Sequence, residues 1–129
     1  MTIFSKIIRG EIPSYRIAED DRFYAFLDIQ PLVPGHTLVI PKVEVDKFFD
    51  MEDAYLQAVL PFARPIARAI EAAFPCERVG LSVVGLEVPH AHLHLIPINT
   101  MDDINFTRAK LSPGPEELKA VQDKILAQL

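Results

Sequence analysis

The chain has 129 residues, with 13 Lys+Arg against 18 Asp+Glu for a net charge of −5, and half of its residues are hydrophobic. That length and apolar content suit one core, so a single domain over residues 1–129 is expected, and the acidic balance argues against long nucleic acid. The lone Cys76 has no partner for an internal disulfide and the N-terminus has no apolar run behind a positive start, so neither export nor membrane insertion is expected and a cytoplasmic location is the default.

Thr2 caps a short helix whose Ile3, Phe4, Ile7 and Ile8 recur at helical spacing before Gly10. Tyr15–Ala18 and Phe23–Asp28 are β-prone and are separated by the acidic turn Glu19-Asp20-Asp21, which predicts a hairpin. After Pro31, Pro34 and Gly35, the run His36–Ile40 predicts a third strand. From about Asp46 to Phe74, Phe48, Tyr55, Val59, Phe62, Ile66 and Ile70 step by three, four or seven and predict the main amphipathic helix. Pro61 and Pro65 each remove a donor inside it, so a bend or break is expected there. Arg78–Val84 and Val88–Ile98 read as two more strands, and Pro115–Leu129 as a final helix. The sum is an α+β domain with a largely antiparallel sheet of about five strands, one long helix and one or two short ones.

Three of the four histidines fall in His90-Ala91-His92-Leu93-His94. On a strand, alternate residues share a face, so the imidazoles would form a row while Ala91, Leu93 and Leu95 enter the core. Same-face neighbours lie about 6.8 Å apart, so the outer two histidines are too distant to share a metal at about 2.1 Å. No cysteine is near and the closest carboxylate is Glu87, so no metal and no cofactor are expected. Nucleophilic catalysis demands less convergence: one ring attacks while its neighbours stabilise charge and fix tautomers.

This segment resembles the signature of the histidine triad family. The resemblance extends to Ile3–Pro13, Phe26-Leu27-Asp28-Ile29 and Pro34–Lys42, which match ordered blocks of the family's Hint-like branch and span about three quarters of the chain. It implies a histidine triad fold that binds nucleotides and hydrolyses or transfers nucleoside monophosphates, with purine nucleotides or nucleoside phosphoramidates as substrates. By the same resemblance His92 is the nucleophile that becomes nucleotidylated, His94 contacts phosphate, and His90 with His36 supports the nucleophile. Asp28 falls at the ribose position, and Ile3, Phe4, Ile7, Phe26 and Leu38 fall at positions that resemble the purine slot. The branch also implies a homodimer. A dinucleoside polyphosphate hydrolase, as in the Fhit-like branch, and a nucleotide sensor or interaction module with little turnover are the alternatives.

The chain departs from the branch just before the triad. Gly85-Leu86-Glu87-Val88-Pro89 stands where an amide and a hydroxyl are usual, and the preceding loop is shorter. An anionic Glu87 repels phosphate unless protonated or paired, so it is expected to act at the leaving group, on an amine or a cation. Gly80–Gly85 is too long for a nucleophile elbow, and there is no glycine-rich phosphate loop. Residues after Ile98 match no block of the family.

Overall fold

The computed structural model describes residues 1–129, and no helix in it is long and apolar enough to cross a membrane. Helix α1 (Ile3–Ile8) precedes β1 (Arg16–Glu19), β2 (Phe23–Leu27) and β3 (Thr37–Pro41). A 3-10 turn at Phe48–Asp50 then leads into α2 (Asp53–Ala73), β4 (Arg78–Ser82), β5 (Leu93–Ile98), a second 3-10 turn at Met101–Ile104, and α3 (Pro115–Leu126). The strands form one sheet in the order β1-β2-β3-β5-β4, with every neighbouring pair antiparallel. The α+β expectation therefore holds.

The acidic turn makes the first hairpin because Asp20 Oδ1 accepts the amides of Arg22 and Phe23, both at 2.8 Å, closing the chain on itself. β2 and β3 are buried along their whole length because both faces of the sheet are covered. Phe23, Ala25, Leu27, Val39, Leu93 and Leu95 point to one side and pack against Val59, Ala63, Ile66 and Ile70 of α2. Tyr24, Phe26, Leu38 and Ile40 point to the other, where only the short α1 meets them through Phe4, Ile7 and Ile8. A helix of six residues cannot cover a five-stranded face, and the uncovered part is a cleft.

Two sets of expected boundaries need correction. The long helix starts at Asp53 rather than Asp46, because Glu52 is extended (φ −59°, ψ 151°) and its carbonyl accepts the first helical amides, from Tyr55 and Leu56. It then continues without interruption through Pro61 and Pro65. Both prolines are exposed, as is Gln57, so the Gln57 and Pro61 carbonyls that lose their amide partners lie on the side where water can replace them. Finally, β5 begins at Leu93, not Val88, and β4 ends at Ser82, not Val84. Pro89 has no amide to give, the His90 amide is spent on the Val88 carbonyl (2.8 Å) and the Ala91 amide on Val45 (2.6 Å), so no ladder can extend upstream. His90 and His92 consequently sit on irregular chain, and only His94 is on a strand.

The exposed prolines make a stability prediction. Pro65→Ala restores an amide aimed at the Pro61 carbonyl, gaining about 3 kcal/mol of helix propensity less up to about 1 kcal/mol of unfolded-chain freedom. Urea unfolding should show a net gain of about 2 kcal/mol, whereas an unchanged or lowered midpoint would mean that the helix gains nothing from that amide.

Candidate active site

His92 lies in the segment entering β5 and is fixed by its own chain. Its Nδ1 is 2.7 Å from the His90 carbonyl oxygen, which can only accept, so Nδ1 carries the proton and Nε2 keeps its lone pair. Nε2 makes no hydrogen bond and is not a buried orphan, so it opens to the cleft that His92 lines. The ring edge stands against Phe4, 5.2 Å between centroids and nearly perpendicular.

His94 takes its tautomer from further away. The Leu32 amide donates to His36 Nδ1 at 3.1 Å, so that nitrogen is an acceptor and His36 Nε2 carries the proton. His36 Nε2 in turn donates to His94 Nδ1 at 2.8 Å, which leaves the hydrogen of His94 on Nε2, facing the cleft. The geometry at the start of this relay is built by the Pro34-Gly35 turn. Gly35 has φ +98°, and a Cβ there would meet Phe74 at 3.0 Å, so glycine alone turns His36 back toward Leu32. His36 is 1% exposed and His94 7%. Burial, with the Lys110 charge adding to it, pushes each pKa down to about 3, so both rings are neutral.

His90 reaches His92 through its backbone carbonyl, and its ring bonds elsewhere. Its Nε2 donates to the Pro41 carbonyl at 2.9 Å, and its Nδ1 accepts from the Thr2 hydroxyl at 2.8 Å. Thr2 also caps α1 by accepting the Ser5 amide, and Glu44 holds both the Thr2 amide and the Ser5 hydroxyl. His90 therefore bolts α1 to the end of β3, and burial lowers its pKa against the pull of the Pro41 carbonyl and Glu44. Only its carbonyl reaches His92. His36 likewise reaches His94 and not the His92 ring.

The cleft encloses about 480 Å³, the size of a small-ligand site. Ile3, Phe4, Ile7, Phe26 and Leu38 line its apolar end, with Phe4 edge-on to Phe26 at 5.5 Å. Asp28 stands on the rim beside His36, its Oδ2 3.7 Å from His36 Nε2 and its Oδ1 accepting the Gln30 amide at 2.9 Å. Burial raises its pKa, opposed by that amide and by the Lys110 charge. Glu87 is at the mouth. Among the lining residues missed from the sequence are Phe106, whose ring is 4.7 Å from His94, Thr107, and Lys110, whose Nζ is 3.4 Å from Glu87 Oε2. They come from irregular chain held by Arg108, which bonds the Leu32 carbonyl, and by the Leu111 amide on the Pro31 carbonyl at 2.9 Å. No periodicity marks such a segment in advance.

The donor atoms of Asp28, His36 and His94 lie within 4.8 Å of one another and are the one group near the cleft that could hold a metal ion. Binding there would have to displace the proton that His36 shares with His94.

The HIT domain family matches residues 9–101. This chain belongs to the HIT family. Among its relatives, a HIT-like protein of Borreliella burgdorferi is 38% identical over 131 residues, covering 95% of this chain and 94% of the relative. An adenosine 5′-monophosphoramidase of Schizosaccharomyces pombe is 33% identical over 130 residues, covering 98% and 97%. A crystal structure of a HIT-like protein from Bartonella henselae superimposes with a TM-score of 0.87 at 35% identity, covering 99% of this chain and 96% of that one. The HIT fold here is thus the five-stranded sheet with three helices, and the triad sits at its partly covered face.

The neutral His36–His94 pair ties HIT-domain stability to pH. Folded pKa values near 3 lie below the 6.5 of an ordinary histidine, so between them the unfolded chain binds more protons. Stability is full above about pH 6.5 and is lost as pH falls toward 3. In His36→Gln the slope of unfolding free energy with pH near pH 5 should fall by one proton, roughly 1.4 kcal/mol per pH unit. An unchanged slope in urea titrations at several pH values would show that His36 is already charged.

Proposed function

We propose that this protein is a nucleotidyl hydrolase or transferase that acts on the α-phosphate of purine nucleoside monophosphate derivatives of the phosphoramidate type, through a covalent nucleotidyl-His92 intermediate. The observation that carries this reading is the pair of fixed tautomers: an unprotonated His92 Nε2 and a protonated His94 Nε2 open into the same cleft, with ring centroids 5.0 Å apart. One nitrogen attacks phosphorus while the other donates to a phosphoryl oxygen as charge builds on it. The names of relatives such as the S. pombe adenosine 5′-monophosphoramidase point the same way.

In the first step the His92 Nε2 lone pair forms a bond to phosphorus. The P–N bond breaks, its electron pair leaves with the nitrogen, and that nitrogen takes up a proton at the mouth. The nucleotidylated ring retains its Nδ1 hydrogen and so becomes cationic, a charge that the His90 carbonyl, which accepts that hydrogen, stabilises. In the second step water attacks phosphorus, the P–Nε2 bond breaks and returns its electron pair to the ring, and a proton is released with the nucleoside monophosphate. Asp28 accepts hydrogen bonds from the ribose hydroxyls, and the base enters the slot of Ile3, Phe4, Ile7, Phe26 and Leu38, where Phe4 and Phe26 offer aromatic contacts. His36 acts through His94 and His90 through its carbonyl, so both are positioning residues. No metal or cofactor takes part in these steps.

The substrate in this reading is a small nucleotide, not a polymer or a membrane, and the protein works in the cytoplasm. A homodimer belongs to the same proposal. Its support is the sheet edge, where Leu81 and Val83 are exposed on and just after β4, together with exposed Leu60 on α2.

Incubation with adenosine 5′-phosphoramidate followed by intact mass without acid should reveal one added adenosine monophosphate on the wild type, and none on His92→Ala. Turnover should fall by about 10³-fold or more in that variant. Tight nucleotide binding with neither adduct nor product would favour the sensor role instead.

A further inference from the structure

The sequence leaves Glu87 as an unexplained anion at a phosphate site, and the structure supplies its partner. Lys110 Nζ lies 3.4 Å and 3.5 Å from the two Glu87 carboxylate oxygens. These are long for a charge-assisted bond, which usually closes to about 2.7–2.9 Å. Glu87 is 79% exposed and Lys110 31%, so the pair is loose and easily exchanged. Lys110 is also the only lysine or arginine lining the cleft, which otherwise carries the two carboxylates Asp28 and Glu87 and the neutral rings of His36 and His94. It lines the same cleft as Asp28, His92 and His94.

We infer that Lys110 is a specificity residue for the leaving group, giving this site a preference for nucleoside 5′-phosphates joined to a second acidic group. The inference rests on the proposed attack by His92. Lys110 follows closely in the chain on Phe106, whose ring stands 4.7 Å from His94, whereas the apolar slot adjoins His92 through Phe4. An anionic leaving group at the mouth exchanges with the Glu87 carboxylate for the Lys110 ammonium. As His92 Nε2 bonds to phosphorus, the bond from phosphorus to the leaving group breaks, P–O where the substrate is an ester, and its electron pair leaves with the departing atom, adding charge that Lys110 meets directly. Glu87 then has two effects: it holds Lys110 in place when the site is free, and it competes with the anion for it.

The test uses two aryl esters of adenosine 5′-monophosphate whose phenols have matched acidity, one neutral and one bearing a sulfonate. The expected wild-type kcat/KM ratio favours the sulfonate ester. In Lys110→Met that ratio should fall by about tenfold, as the loss of one partly screened charge contact implies. Lys110→Arg should keep it within about threefold, and Glu87→Gln should raise it. If Lys110→Met is poorly folded, the wild type alone still decides, because its ratio should fall as ionic strength rises. A ratio that is preserved in Lys110→Met, or that is insensitive to salt, would overturn the inference. Absence of a His92 adduct with both esters would instead overturn the mechanism beneath it.

Discussion

A single hydrogen bond, from His36 Nε2 to His94 Nδ1 at 2.8 Å, joins the entry of β3 to the start of β5 on the partly covered face of the sheet. Its direction is not free, because the Leu32 amide already occupies the other His36 nitrogen. The proton must therefore run toward His94, and His94 must present its remaining hydrogen to the cleft. Leu32 serves the site a second time through its carbonyl, which holds Arg108 and with it the chain that brings Phe106 and Lys110 over the histidines. The loop between β2 and β3 thus sets both the donor at the bottom of the cleft and the cation at its mouth.

Electrostatics explain how an acidic protein can host phosphate chemistry. A net charge of −5 gives no long-range attraction for polyanions, but local donors need none. Burial keeps His36 and His94 neutral near physiological pH, so they act as dipoles with fixed orientation rather than as a diffuse positive field. The one formal cation in the cleft, Lys110, is balanced by Glu87 until an anion arrives. The position that looked most hostile to phosphate in the sequence is the counter-ion of a residue the sequence did not single out.

The fold was legible wherever periodicity reported burial. The β-prone runs of β2 and β3 and the three-and-four spacing of Val59, Phe62, Ile66 and Ile70 correspond to real faces. The triad was legible as a cluster, but not as geometry. Ala91, Leu93 and Leu95 do point into the core, yet the chain upstream of Leu93 is irregular, because Pro89 lacks an amide and its neighbours spend theirs locally. The row of three imidazoles is in fact three separate environments. The His90 ring bonds outward to Thr2 and Pro41, His92 to its own backbone, and His94 to His36. Tautomers follow from partners, and partners 58 or 88 residues apart are invisible to spacing. The helix runs unbroken through Pro61 and Pro65, because solvent can satisfy what a proline leaves open.

The central claim is that backbone and imidazole partners fix the proton positions of the triad before any substrate binds. Nitrogen-15 NMR of the imidazole rings between pH 5 and 8 tests it most directly. The account requires the neutral His92 ring to carry its proton on Nδ1, and His36 and His94 to be protonated on Nε2 alone and unchanged down to the lower end of that range. A His92 proton on Nε2, or cationic His36 or His94 at neutral pH, would contradict it.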